Sequence, residues 1–242
     1  MSEPRLDLDR ENEHLEGLSP EARLAFAVER FGDALLFTSS FGAQSAVLLH
    51  LWSTVARERP VTFIDTGFLF PETLAYRDRL VAELGLTLDV VRPDIVRADF
   101  DARYGTDIQA RDPDFCCGLN KTAPLASRRE RARAWISGLR RDQSATRSSV
   151  RILEADGSTL VRVHPIADLG AADVAAYLAR HGLPEHPLVA RRYLSIGCAP
   201  CTRAVGEGED ERACRWAWSS KTECGLHPRG AGTGGPPDRA AR

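Results

Sequence analysis

The sequence predicts an α/β protein built on a doubly wound, mostly parallel sheet. Three observations carry this expectation. Short apolar runs at residues 34–37, 61–65 and 87–91 have the Val/Ile/Phe/Leu character of buried strands. Segments with helical apolar spacing, each about a dozen residues long, separate these runs, and each helical segment is closed by a glycine or opened by a proline. Strand alternating with helix is the pattern of βαβ units, in which helices cover both faces of a parallel sheet.

Taken in order, residues 1–17 read as a loose N-terminal arm. Ser19-Pro20 places an N-cap before a first-turn proline and opens a helix with Leu24, Val28 and Phe31 on one face, stopped by Gly32. The strand at 34–37 leads into the small-residue loop Thr38-Ser39-Ser40-Phe41-Gly42-Ala43-Gln44-Ser45 and a helix over AVLLHLW. The strand at 61–65 is followed by Thr66-Gly67 and a helix from Pro71 to Gly85, and the strand at 87–91 comes next. A helix is expected within 94–104 and a further strand at 134–139. Residues 151–155 and 159–163 flank Asp156-Gly157 as a hairpin, and 170–180 reads as a helix. Beyond Pro184 the pattern dissolves into loops, and residues 228–242, rich in Gly and Pro, read as a disordered tail. Residues 18–227 are therefore expected to form one domain, an expectation that 242 residues accommodate.

A formal net charge of −2 supplies no field that would favour nucleic acid or an anionic membrane. The polar, acidic N-terminal stretch lacks the apolar core of a signal peptide, and no apolar run approaches a membrane span. The expected location is cytoplasmic. In a reducing compartment the six cysteines point to metal ligation or thiol chemistry in preference to disulfides.

Chemistry concentrates at a few places. Ser39, Ser40, Phe41 and Gly42 lie where a strand hands over to a helix, so backbone N–H groups and hydroxyls there can meet an anion at a helix N-terminus. An ordinary turn would look the same, and no Gly-Lys-Ser/Thr of a Walker loop follows. Asp65, Thr66 and Gly67 end the next strand on the same ligand-binding edge. A third strand end supplies Gly138, Arg140, Arg141 and Arg147, suited to phosphate or sulfate, although Arg140 and Arg141 taken singly read better as solvated. Near the C-terminus, Cys224 is followed by His227, with Arg212 and Arg215 nearby. A thiol with cations at hand is a candidate nucleophile. Cys116-Cys117 and Cys198-Ala199-Pro200-Cys201 offer four soft ligands. Zinc and an iron–sulfur cluster both take such a set. An adjacent pair spaces poorly around one tetrahedral ion, which favours [4Fe–4S]; two reduced buried thiol pairs remain the plain alternative.

Together these motifs resemble the iron–sulfur type of assimilatory adenylyl-sulfate (APS) reductase, within the adenylyl-sulfate and phosphoadenylyl-sulfate (PAPS) reductase family. The resemblance runs from about residue 34 to 227. It rests on SSFGAQ, Ile64-Asp65-Thr66-Gly67 with Pro71-Glu72-Thr73, the Cys-Cys pair with Lys121, GLRRDQSATRS, YLSIGCAPCTR, ERACRWAW and ECGLH. It implies an adenine nucleotide α-hydrolase-like fold that holds AMP. It also implies a [4Fe–4S] cluster on Cys116, Cys117, Cys198 and Cys201, with Lys121 between cluster and substrate. Arg212 and Arg215 would grip the phosphosulfate with His227 near, Gly138 would pack by the adenine, and Arg147 would help hold the nucleotide. The segment from Gln143 to Arg147 is slightly shorter than the family pattern. Cys224, on a mobile segment, would form an S-sulfocysteine that thioredoxin or a similar dithiol protein reduces, yielding sulfite for cysteine biosynthesis. Cys214 has no role in that pattern and reads as a plain thiol.

Other readings stay open at this point. PAPS reductase, or an enzyme accepting both nucleotides, shares the ECGLH end, whereas the cysteine tetrad favours APS. An ATP-pyrophosphatase-type sulfur-transfer enzyme would carry a Ser-Gly-Gly-x-Asp-Ser loop, which this sequence lacks. A zinc-stabilised binding module would contain zinc and no iron. A homo-oligomer is compatible with the sequence.

Overall fold

The computed structural model describes residues 6–157, 159–221 and 223–226. The expected tail at 228–242 and His227 lie outside the described residues.

The first strand, β1 (Leu35–Phe37), pairs in parallel with β4 (Ala134–Ile136), and β4 pairs in parallel with β6 (Leu160–Val163). β5 (Leu153–Asp156) closes that edge as the antiparallel hairpin expected around Asp156-Gly157, where Gly157 takes φ 73°. β2 (Val61–Ile64) and β3 (Leu88–Val91) form a second parallel pair. A parallel bridge from Thr38 to Thr62, with the Ser39 N–H donating to the Thr62 carbonyl at 3.1 Å, joins the pairs in the order β3-β2-β1-β4-β6-β5.

Alternation along the strands explains why both faces are covered. On β4, Ala134 and Ile136 face the main core, whereas Trp135 faces a second cluster with Leu36, Val91 and Leu125. The main core is closed by α2 (Pro20–Phe31), α3 (Ser45–Val55), α4 (Pro71–Leu84) and α9 (Ala171–His181). Helix boundaries follow local chemistry. Ser19 caps α2 by accepting from the Ala22 N–H at 3.3 Å, and Gly85 ends α4 at φ 61°.

Two expectations need correction. Residues 8–16 are not a loose arm but a helix, α1 (Leu8–Glu16), capped by Asp7, with Leu15 fully buried. Asn12 accepts from the Leu153 N–H at 2.9 Å and donates to its carbonyl at 3.0 Å, so a polar side chain satisfies one position of the edge strand β5. Arg140 is not solvated either. It is 1% exposed, its guanidinium pairing with Asp142 at 2.9 Å and donating to the Leu169 carbonyl at 3.0 Å. Arg141 is half-buried and pairs with Glu16 at the end of α1.

Between β3 and β4 the chain is more helical than its sequence pattern suggests. After α5 (Arg97–Tyr104) come α6 (Ile108–Arg111), α7 (Pro113–Cys117), a π-helical turn over Gly118–Thr122, and α8 (Ala123–Arg131). The π turn carries Lys121, and Asn120 secures it by donating to the Cys116 carbonyl at 3.0 Å. Among the described residues no helix is long and apolar enough to cross a membrane.

Candidate active site

The ends of β1, β2 and β4 open into one cavity of about 250 Å³. Its apolar part is made by Phe37, Ala43, Leu48, Gly138 and Leu139. A Cβ on Gly138 would meet Leu48 at 3.6 Å, an ordinary packing distance. Its cationic part is made by Lys121, Arg147, Arg212 and Arg215, with Cys224 among them. An apolar slot joined to a concentration of positive charge suits a nucleotide whose charge sits at one end.

The loop after β1 is built to present backbone. Phe41 adopts φ 49°, an uncommon left-handed position for a bulky residue, and its N–H donates to the Ser39 hydroxyl at 3.2 Å. The Phe41 ring is fully buried against Phe63, with centroids 5.5 Å apart. Ser39, Ser40 and Gly42 line the cavity as expected, while the Phe41 side chain anchors the loop from behind and does not. At the end of β2, Thr66 lines the cavity, but Asp65 and Gly67 do not. Asp65 accepts from the Gly67 N–H and pairs with Arg92, each at 3.2 Å, so its carboxylate shapes the turn.

Cys224 sits half-buried in this cavity, its sulfur 4.0 Å from the Lys121 ammonium. A hydrogen bond from Cys117 does most to hold the Cys224 thiol well below the ordinary thiol range. Burial opposes this, and the charges of Lys121 and Arg215 reinforce it. Cys117, the partner in that pair, is pushed up. Burial opposes the charge of Lys121 too, yet the sulfurs of Cys198, Cys224 and Cys117 around it keep the ammonium protonated above the usual lysine range. Arg215 stacks over Trp216 at 4.5 Å, and its buried Nε has no hydrogen-bond partner among the described residues.

Arg147 and Arg212 have a partner that sequence reasoning missed. Glu223 takes two hydrogen bonds from Arg147, both 2.7 Å, and one from Arg212 at 3.0 Å. Its position next to the candidate nucleophile was the available signal. Burial, and after it the neighbouring Arg147 charge, pulls Arg212 down to about 10. Gln44 and Glu211, which meet at 3.3 Å across the cavity wall, were also missed. Cys214 is a buried thiol donating to the Ser195 and Glu211 carbonyls at 3.3 and 3.2 Å.

Cys116, Cys117, Cys198 and Cys201 line a second, small cavity beside Lys121, and each is buried. Among the described residues no three Cys, His, Asp or Glu side chains meet closely enough to ligate a single ion. The four thiols instead frame a space within a shell that includes Phe68, Phe100, Ile108 and Trp216. Burial and then the Cys198 and Cys201 sulfurs push the Cys116 thiol up to about 11, and burial also raises Cys201. Four buried soft donors around one small cavity are a set that a thiophilic inorganic group can take up by displacing their protons.

Fold and site thus define an α/β protein with an apolar slot, three arginines, a lysine and a thiol in one cavity at the strand ends. The model of the phosphoadenosine phosphosulfate reductase domain matches residues 34–204, and the chain belongs to that family. It is 43% identical to the adenosine 5'-phosphosulfate reductase of Streptomyces coelicolor, over 90% of this chain and 92% of that one. It is 41% identical to the phosphoadenosine 5'-phosphosulfate reductase of Gloeobacter violaceus, over 94% and 98%. Among solved structures, the phosphoadenylyl-sulfate reductase of Candida auris in its phosphate complex superposes with a TM-score of 0.73 at 26% identity, covering 85% of this chain and 99% of that one. The adenine nucleotide α-hydrolase-like sheet expected from the sequence is the fold observed.

Proposed function

We propose that the protein reduces adenylyl sulfate to sulfite and AMP in assimilatory sulfate reduction, with Cys224 as the nucleophile. The observation that carries this reading is the Cys224 sulfur inside the cavity, 4.0 Å from the Lys121 ammonium, with Arg212 and Arg215 in the same wall. The nucleotide would lie with its base by Gly138 and Leu48 and its anionic end toward the loop of Ser39, Ser40 and Gly42 and the basic groups.

In the first step the Cys224 thiolate attacks the sulfur of APS. An S–S bond forms, the bond from sulfur to the bridging oxygen breaks, and AMP leaves with that electron pair. Sulfate is a poor electrophile, so the charge developing on the AMP phosphate has to be neutralised. Lys121, Arg212 and Arg215 do this, and such fixed charges are worth several kcal/mol in related transfers. In the second step a thiolate of a dithiol reductant such as thioredoxin attacks the Cys224 sulfur and expels sulfite. The second thiol of the reductant then resolves the mixed disulfide and returns Cys224 as a thiol. His227 would stand near the phosphosulfate.

Cys116, Cys117, Cys198 and Cys201 would hold a [4Fe–4S] cluster, in keeping with four buried soft donors around one small cavity beside Lys121. With Cys117 so engaged its hydrogen bond to Cys224 is lost, and the charges of Lys121 and Arg215 are what favour the Cys224 thiolate. When bound, it supplies a charged inorganic centre whose role in this scheme is electrostatic or structural. Iron and acid-labile sulfide in anaerobically purified protein test this assignment; zinc without iron would refute it.

The Gloeobacter relative favours a second reading, in which the 3'-phosphorylated nucleotide is the substrate. Sulfite release from APS and from PAPS, measured side by side, separates the two. Faster turnover of APS supports the proposal, and turnover of PAPS alone overturns it.

A further inference from the structure

The segment carrying Cys224 is held closed by groups that a substrate anion also needs. Glu223 is 7% exposed and receives three charge-assisted hydrogen bonds, two from Arg147 and one from Arg212. The rest of the segment is docked at independent points. Lys221 pairs with Asp114, and the Leu226 carbonyl accepts from Arg162 at 2.8 Å. A Cβ on Gly225 would meet Thr122 at 3.4 Å, so the backbone runs close against the π turn.

We propose that Glu223 is a positioning residue that acts as the chain's own substitute for the substrate anion. It docks the Cys224 segment on Arg147 and Arg212, and a bound phosphosulfate or phosphate displaces it from them. The identity of the competing anion rests on the nucleotide reading above; the competition itself rests only on geometry. Both arginines line the cavity and both point their guanidinium groups at one carboxylate. A phosphate or sulfate on the same groups would bring like charges within a few ångströms of each other, which is unfavourable. The two anions therefore exclude each other. The substrate enters as the carboxylate leaves, and Cys224 reaches the sulfur from a docking that relies on the contacts of Lys221, Gly225 and Leu226.

The test compares the full-length holoenzyme with its Glu223→Gln variant, using AMP and inorganic sulfate as probes. Calorimetry gives affinities, and hydrogen–deuterium exchange of the peptide spanning residues 219–226 reports docking. Expected results are faster exchange of that peptide in the wild type on adding either probe, and faster exchange in the variant without any probe. The variant should also bind AMP about tenfold tighter, the gain from removing a competing charged contact. If AMP and sulfate slow exchange in the wild type, and the variant binds AMP no tighter, Glu223 stays in place beneath the bound anion and the proposal is overturned. If sulfate releases the peptide but AMP binds neither form, the nucleotide reading fails while the competition stands.

Discussion

Gly197→Ala should lower activity by moving Arg215, without altering the chemistry of any group proposed to take part in the reaction. A Cβ built on Gly197 lies 2.5 Å from the Arg215 guanidinium carbon, far inside contact distance. Gly197 does not adopt a positive φ, so alanine is acceptable to the backbone and the collision falls on the side chain of Arg215. That side chain is flexible, and it will give way by leaving its position over Trp216 and along the cavity wall. On the proposed mechanism the loss is that of a charge-assisted contact to the substrate anion, about 1.5–3 kcal/mol. This converts to a fall in kcat/KM for APS of about 10- to 150-fold. The assay is sulfite release with a dithiol reductant, run on Gly197→Ala, Arg215→Ala and the double variant, beside thermal unfolding of each. Because both substitutions act through one guanidinium, the double variant should lose no more than Arg215→Ala alone. Wild-type kcat/KM in Gly197→Ala, or full additivity in the double variant, would refute the role given to Arg215.

Three further outcomes follow from the structure. Cys224→Ser should abolish sulfite release while AMP binding is largely kept, and retained turnover would remove Cys224 as nucleophile. His186 is 1% exposed, bonded to Thr73 at 3.0 Å, and lowered by burial to about 4. Its neutral form is thus the folded one. The stability it contributes is whole above the ordinary histidine value near 6.5 and is lost as pH falls from there toward 4, by about 3 kcal/mol. Urea midpoints between pH 7 and 4 should show that slope, flattened in His186→Gln; an equal slope in the variant would contradict it. Asn12→Ala should destabilise the protein by about 2–4 kcal/mol, since it orphans both backbone groups of Leu153 that Asn12 serves. An unchanged unfolding midpoint would mean that α1 is held by its apolar contacts alone.

Most strands and helices were legible because local signals and burial agree. Ser19-Pro20, Gly85 and Asp156-Gly157 mark boundaries through capping and left-handed backbone, and these boundaries reappear in the structure. What escaped the sequence are contacts between distant segments. Asn12 meets Leu153, Arg140 meets Leu169, Gln44 meets Glu211, and Arg147 meets Glu223; no periodicity records such pairs. The residues between β3 and β4 escaped for another reason. Their helices are short and interrupted by a π turn, so apolar spacing never completes enough turns to declare itself. In the site, the loop of Ser39, Ser40 and Gly42, together with Thr66, Lys121, Gly138, Arg147, Arg212, Arg215 and Cys224, meets in one cavity. Phe41, Asp65 and Gly67 belong to the same motifs but serve the loops themselves, because a motif names a stretch of chain and not the direction of each side chain.

The most direct test of the account is a single turnover with APS in the absence of reductant, followed by peptide mass spectrometry. The account predicts AMP released in equal amount to enzyme and one SO3 group retained on the peptide that carries Cys224, then lost as sulfite when a dithiol is added. AMP release with the SO3 group on another cysteine, or with no modified peptide at all, would contradict it.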